Sequence, residues 1–272
     1  APHWMPEGSD ELPIVQRTFK KGTKQVGTLG GGNHFVEIQQ GSDGHIWLMI
    51  HSGSRALGYT VADHYNKLAI KLNARYHSRV ERKWDLAFLP LETPEARAYW
   101  NEMNYCIEYA VSNRKLMMER LVEALTLAAG DFDCDDIINK PHNFAAWENH
   151  FNKNVIVHRK GATRAFKDEL GMIPGSQGSS SYIVRGLGNE QSFMSCSHGA
   201  GRKLGRKQAQ RTLNIKEEVA ALNRQGVVHA IRHASDLDEA PGAYKDIDTV
   251  MANQEDLVDI VVQLRPLAEM KG

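Results

Sequence analysis

Four histidines sit where a chain could deliver reactive side chains. His34 follows a glycine triplet in Gly30-Gly31-Gly32-Asn33-His34-Phe35-Val36-Glu37, where small residues let backbone approach a ligand while His and Glu project from a strand start. His51 ends an apolar run and enters Ser52-Gly53-Ser54-Arg55, and His142 stands between Pro141 and Asn143. Taken singly, each is more often a hydrogen-bonded structural histidine than a ligand. Together, three neutral imidazoles at element ends suit Mn, Fe, Co or Zn, provided the fold brings them together. His198, in Ser195-Cys196-Ser197-His198-Gly199-Ala200-Gly201-Arg202, precedes a basic helix start. An imidazole there could attack phosphorus, with Arg202 and Arg206 at i and i+4 gripping phosphate oxygens. The plainer reading is a helix-entry turn with a hydrogen-bonding His.

A second glycine- and serine-rich turn, Ile173-Pro174-Gly175-Ser176-Gln177-Gly178-Ser179-Ser180-Ser181, offers amides and hydroxyls to an oxyanion. It is not a Walker loop, because no Gly-Lys-Ser/Thr follows.

The elements that must position these groups read as α+β, in one domain over residues 1–272. Gln25–Leu29, His34–Gln39 and His45–Ile50 are β-like runs separated by glycine turns. The spacing of Ala62, Tyr65, Leu68 and Leu72 predicts a helix over 60–82. Thr93 before Pro94 predicts a helix start, and Gly130 its stop. Strands are expected at 154–158 and 181–184, and short helices at 202–212 and 215–223.

The chain has 272 residues, 42% apolar and 24% charged, with 33 basic residues balancing 33 acidic ones. This excludes a largely disordered chain and a collagen-like one. No apolar run approaches the roughly 18 to 20 residues of a spanning helix, so no membrane partner is expected. Neutrality hides an asymmetry. Residues 151–213 carry eleven Lys/Arg against three acids, an excess of eight positive charges able to hold a polyanion. Three cysteines without a Cys-x-x-Cys suit a reducing compartment, and the opening Ala1-Pro-His-Trp4 shows no signal peptide, so a cytoplasmic protein is expected.

Taken in order, the motifs Gly27–Glu37, His51–Arg55, Pro141–Asn143, Arg159–Ala162, Ile173–Ser176, Ser197–Arg202, Ala243–Ile247 and Lys271-Gly272 resemble the RtcB family of RNA ligases. That resemblance implies joining of an RNA 3′-phosphate or 2′,3′-cyclic phosphate to a 5′-hydroxyl, with GTP as co-substrate and Mn2+ as metal. It implies that His198 is the guanylylated nucleophile and that His34, His51 and His142 bind metal. GTP contacts would come from Asn33, His34, Phe35, Val36, Glu37, His142, Asn143, Pro174, Gly175, Ser176, Gln177, Ser181, His198, Gly199, Ala200, Gly201, Tyr244 and Lys271. Arg55 and Arg206 match positions for RNA phosphate or oxyanion binding. RNA with those ends is the expected partner, together with an archease-type activator.

Three departures stand out. The family usually has Met where Gln177 stands and Ser where Gly205 stands. Its upstream Asp-Ile-Gly-Cys-Gly-Met metal motif is absent, and Cys134, in Asp131-Phe-Asp-Cys-Asp-Asp136, lacks the Gly-Met that follows the family's cysteine. The chain is therefore expected to be the C-terminal two thirds of a longer ligase, holding one metal weakly, or two only with outside ligands. The alternatives are an inactive RNA- or nucleotide-binding remnant and a metal-dependent cyclic-phosphate hydrolase.

Overall fold

In a computed structural model, residues 8, 12–135 and 137–272 are described, so the opening Ala1–Trp4 and Asp136 lie outside the described residues. The chain divides into two compact units, one of residues 1–30 and 52–133, the other of residues 31–51 and 134–272.

The first unit is helical, built from α1 (Pro13–Gln25), α2 (Arg55–Arg75) and α3 (Pro94–Ala129). Helix α3 starts and stops where its punctuation predicts: the Thr93 hydroxyl accepts from the Ala96 amide, Pro94 opens the first turn, and Gly130 follows the last. Helix α1 has no side-chain cap of its own at Leu12. Its first amides are met by the buried Glu102 carboxylate of α3, which accepts from Ile14 N at 2.6 Å and Val15 N at 2.9 Å. Ile14, Val15, Leu57, Val61, Tyr105 and Tyr109 form the core between the helices.

Two expectations are corrected here. Gln25–Leu29 is not a strand: Gln25 closes α1 and the chain then turns, with Val26 buried in the helical core and Gly27 at φ +71°. The fixed point is Asn113, fully buried on α3, whose Oδ1 accepts from the Gly27 amide at 2.7 Å. Helix α2 runs from Arg55 to Arg75 rather than over 60–82, because the chain enters it directly from Ser54 and leaves it at Tyr76.

The second unit carries a five-stranded antiparallel sheet and two short hairpin-like pairs. The strands are β1 (Phe35–Gly41), β2 (Ile46–His51), β3 (Asn143–His150), β4 (Lys153–Lys160), β5 (Ala162–Arg164), β6 (Leu170–Ile173), β7 (Ser181–Gly186), β8 (Ser195–Ser197) and β9 (Val258–Lys271). The sheet order is β2-β1-β9-β7-β6, with β3 paired to β4 and β5 to β8. The expected strands at 34–39, 45–50, 154–158 and 181–184 are present, the first two starting one residue later and all four running one or two residues further at the C-terminal end. Central β9 alternates buried Val262, Leu264 and Pro266 with exposed Val261, Gln263 and Arg265.

Helices α4 (Arg206–Thr212), α5 (Ile215–Arg224) and α6 (Ile247–Ala252) complete the unit. Helix α4 begins at Arg206, not at Arg202, with Gly205 as its N-cap. Arg202 instead lies in an extended segment bridged to Tyr244. The two arginines therefore do not share a helix face.

Candidate active site

Register places the four histidines. In the sheet, Phe35 of β1 lies between His51 of β2 and Lys271 of β9, so His34, His51 and the chain's last residues meet at one sheet end. The Gly272 amide donates to the His34 carbonyl at 3.2 Å. On the other side, Asn143 pairs with Lys160, the chain passes through Gly161 at φ +71°, and Ala162 pairs with Ser197. His142 and His198 are thereby brought to the same turn. The ring centroids form a chain: His34 to His51 5.8 Å, His51 to His142 4.8 Å, His142 to His198 5.4 Å.

Burial favours the neutral form at two of these rings, His51 and His198. Loss of solvent, then the charges of His142, His34, His198 and Lys271, hold His51 well below the ordinary imidazole value. Burial also lowers His198, only partly offset by a hydrogen bond to the Gly161 backbone. A neutral imidazole has a free lone pair, the form required of a nucleophile or a metal ligand.

Beside the histidines lie two buried carboxyls. Glu37 and Glu269 face each other across β1 and β9 and are 3% and 7% exposed. Burial and the neighbouring Glu269 charge raise Glu37 well above the usual carboxylate range, and burial raises Glu269 despite Lys271. Lys271 Nζ lies 2.8 Å from Glu269 and 4.7 Å from the Phe35 ring centre. Gln39 Nε2 donates to Glu37 at 2.7 Å. Asn33 and Asn143 are exposed at the mouths of β1 and β3, and Val36 is half-buried.

The 174–181 turn folds on itself. The Gly175 amide donates to Ser181 Oγ at 3.1 Å and the Ser176 amide to Ser179 Oγ at 2.6 Å. The Ala200 amide donates to the Pro174 carbonyl at 3.0 Å, tying this turn to Gly199, Ala200 and Gly201 after His198. Gln177 is buried, its Nε2 donating to the Glu239 carbonyl at 3.2 Å. Tyr244 and Arg206 also belong to this unit, whereas Arg55 belongs to the helical unit. There its guanidinium lies over Gly30, occupying the space a Cβ would need.

Residues 6–272 match the family described as tRNA-splicing ligase RtcB. The chain belongs to that family. It is 39% identical to the RNA-splicing ligase RtcB of Escherichia coli K12, over 92% of this chain and 62% of that protein. It is 31% identical to the tRNA-splicing ligase RtcB of Thermococcus kodakarensis, over 98% and 63%. With the RNA-splicing ligase RtcB of Mycobacterium bovis it shares 32% identity, over 97% and 69%. The chain thus spans a little under two thirds of the length of the first two of these RtcB relatives.

The manganese implied by the family meets suitable donor chemistry in three imidazoles, though not a ready-made cluster. Among the described residues no group of three or more His, Cys, Asp or Glu is arranged to hold a metal ion. His34, His51 and His142 bring their rings together, with centroids 5.8 and 4.8 Å apart, while Cys134 is an exposed free thiol. The three imidazoles are the residues that would hold such a metal, as nitrogen donors.

Sequence reading missed four groups. Glu148, half-buried on β3, pairs with Arg159 at 2.5 Å and with His150 at 2.8 Å, while Arg159 Nε donates to Ser195 Oγ at 2.9 Å on β8. Glu239 pairs with Arg202 and Arg206 at 3.0 and 2.9 Å. Glu269 and the Gly161 backbone complete the list. Four of the eleven cations in the basic segment are consequently partnered, since Glu169 takes Arg164 at 2.8 Å. The sequence excess overstates the charge left for a polyanion.

Proposed function

We propose that the chain is the nucleotidyl-transfer part of an RNA ligase that joins 3′-phosphate or 2′,3′-cyclic phosphate ends to 5′-hydroxyl ends through a His198 guanylate. The observation that carries this reading is His198 itself: a neutral, half-buried imidazole on the turn after β8, stacked on His142 and next to the 174–181 turn. In this reading the His198 lone pair attacks the α-phosphorus of GTP, the bond to pyrophosphate breaks, and a phosphoramidate forms. An RNA 3′-phosphate oxygen then attacks that phosphorus, giving RNA-ppG and restoring the imidazole. The 5′-hydroxyl of the second strand displaces GMP. Cyclic phosphate ends would first be opened to the 3′-phosphate.

Glu37, Glu269 and Lys271 with the Phe35 ring offer donors, acceptors and an apolar face suited to a purine, and the 174–181 turn offers amides and hydroxyls to phosphates once its serine contacts open. RNA is the proposed macromolecular partner, and an archease-type helper remains part of the proposal. Mn2+ is the proposed metal: His34, His51 and His142 would hold it, and it would make the phosphorus more electrophilic. Three free cysteines suit the cytoplasm, and no helix among the described residues is long and apolar enough to cross a membrane.

The lack of a ready-made cluster of metal donors among the described residues favours a second reading, a nucleotide- or RNA-binding remnant. Incubation with α-labelled GTP and Mn2+ separates the two. Covalent label on the wild type, lost in His198→Ala, is the expected result. No label at any metal concentration would leave the remnant reading for this chain, and opening of cyclic phosphate without GTP would point to a hydrolase.

A further inference from the structure

Acids gather at Asp236, Asp238 and Glu239, outside the basic segment. One of them is built into the site. Glu239 ends the 3-10 stretch Ala234–Glu239 and is 3% exposed. Its carboxylate lies 3.0 Å from Arg202 Nη1 and 2.9 Å from Arg206 Nη2, and the Tyr244 hydroxyl donates to it. Its backbone carbonyl accepts from Gln177 of the 174–181 turn at 3.2 Å. The preceding Asp238 adds a backbone carbonyl bonded to Arg202 and a carboxylate 3.9 Å from Arg206.

We infer that Glu239 is a positioning residue that holds Arg202, Arg206, Tyr244 and the 174–181 turn in one arrangement around the segment carrying His198. A buried carboxylate is tolerated only when charged or hydrogen-bonding partners surround it; here two guanidiniums lie against one oxygen as close ion pairs and the Tyr244 hydroxyl donates to the other. Arginine side chains otherwise lose much rotamer freedom on gripping a phosphate, and fixing them beforehand removes that cost. The arrangement stays open to a ligand. Arg206 keeps 45% of its side chain exposed, so its guanidinium can still meet a phosphate. What the arrangement serves rests on the ligase reading above; the arrangement itself does not.

Charge and position predict opposite effects for Glu239→Gln. By charge alone, removing an anion beside two cations tightens RNA binding. If Glu239 positions the arginines, joining of RNA with 3′-phosphate and 5′-hydroxyl ends falls about tenfold while binding of an unreactive RNA with 3′-hydroxyl ends holds or tightens. Arginine-selective 15N NMR on the full chain reads the positioning directly. Wild type should show separate, slowly exchanging Nη signals for Arg202 and Arg206 that merge in Glu239→Gln. Merged Arg206 signals in the wild type, or joining by the variant at the wild-type rate, would overturn the inference. Should the variant fail to fold, the wild-type spectrum alone decides. A wild type that never joins RNA defeats the ligase reading, while the NMR result still judges the role of Glu239.

Discussion

His142 and His198 lie face to face, their ring centroids 5.4 Å apart and their planes 18° from parallel. The contact spans two pairings, β3 with β4 and β5 with β8, joined through Gly161. One ring covers a face of the other, so the plane from which His198 presents its lone pair is set by the hairpin as well as by its own turn. The hairpin is in turn fixed to β8 by Arg159, which reaches from β4 to Ser195 and to the Phe193 carbonyl.

Arg206→Ala should separate the two chemical stages. Arg206 is half-exposed at the first turn of α4 and reaches Glu239, while His198 lies on the turn after β8. Loss of one charge-assisted phosphate contact is worth about 1.5–3 kcal/mol, roughly ten- to a hundredfold. Joining of RNA ends should fall by that factor and covalent labelling by GTP by less than about threefold. Single-turnover measurement of each stage gives the comparison, and equal losses would count against an RNA role.

Glu148→Gln should expose the fold's dependence on acid. Burial alone would raise the Glu148 carboxyl, but hydrogen bonds from Arg159 and His150, and then their charges, outweigh it, and the net shift is downward from the ordinary 4.5. A carboxyl depressed in the folded state stabilises fully above its unfolded value and loses that contribution as pH falls through its folded value. Wild-type stability should therefore decline as pH drops below about 4.5. The variant should be weaker by about 3–5 kcal/mol at neutral pH, from breaking one partner of a buried pair, and its profile flatter in acid. Urea unfolding from pH 3 to 7 reads both.

Manganese binding tests the imidazole row. Three neighbouring histidines supply nitrogen donors, whereas Mn2+ prefers oxygen-rich sites. Equilibrium dialysis should find no more than one Mn2+ per chain, held weakly and released by His51→Ala. Two tightly held ions would show that the row rearranges into a centre.

How much of this was legible in sequence follows from how local each signal is. Helix α3 was readable because Thr93, Pro94 and Gly130 act within one turn of its ends. Residues 25–29 were misread because their apolar alternation mimics a strand, while the contact that decides them, Asn113 on Gly27, comes from 86 residues away. The candidate histidines were visible as residue types at element ends. Their meeting was not, since it depends on the registers Phe35 with His51 and Ala162 with Ser197. Glu239 and Glu148 were least legible: an acid in a charged stretch looks like solvated surface until its arginine partners are placed.

Gly175→Ala should damage nucleotide handling beyond its effect on stability. A Cβ at Gly175 would lie 2.2 Å from the Ser180 carbonyl oxygen and 2.5 Å from Ser179 Oγ. The hydroxyl can rotate away, but the carbonyl belongs to the backbone of the same turn, so the turn must open to admit a methyl group. Overpacking of this kind costs about 1–3 kcal/mol. The Gly175 and Ser176 amides would move with it, and labelling of His198 by GTP should fall more than about tenfold if those amides face phosphate. Gly205 provides the control. Nothing lies within 4 Å of its Cβ position and its φ is −65°, so Gly205→Ala should stay within about 0.5–1 kcal/mol of wild type with labelling intact. Thermal melting and GTP labelling of both variants decide the point. A Gly175→Ala protein that is less stable yet labels normally would remove the 174–181 turn from the nucleotide site.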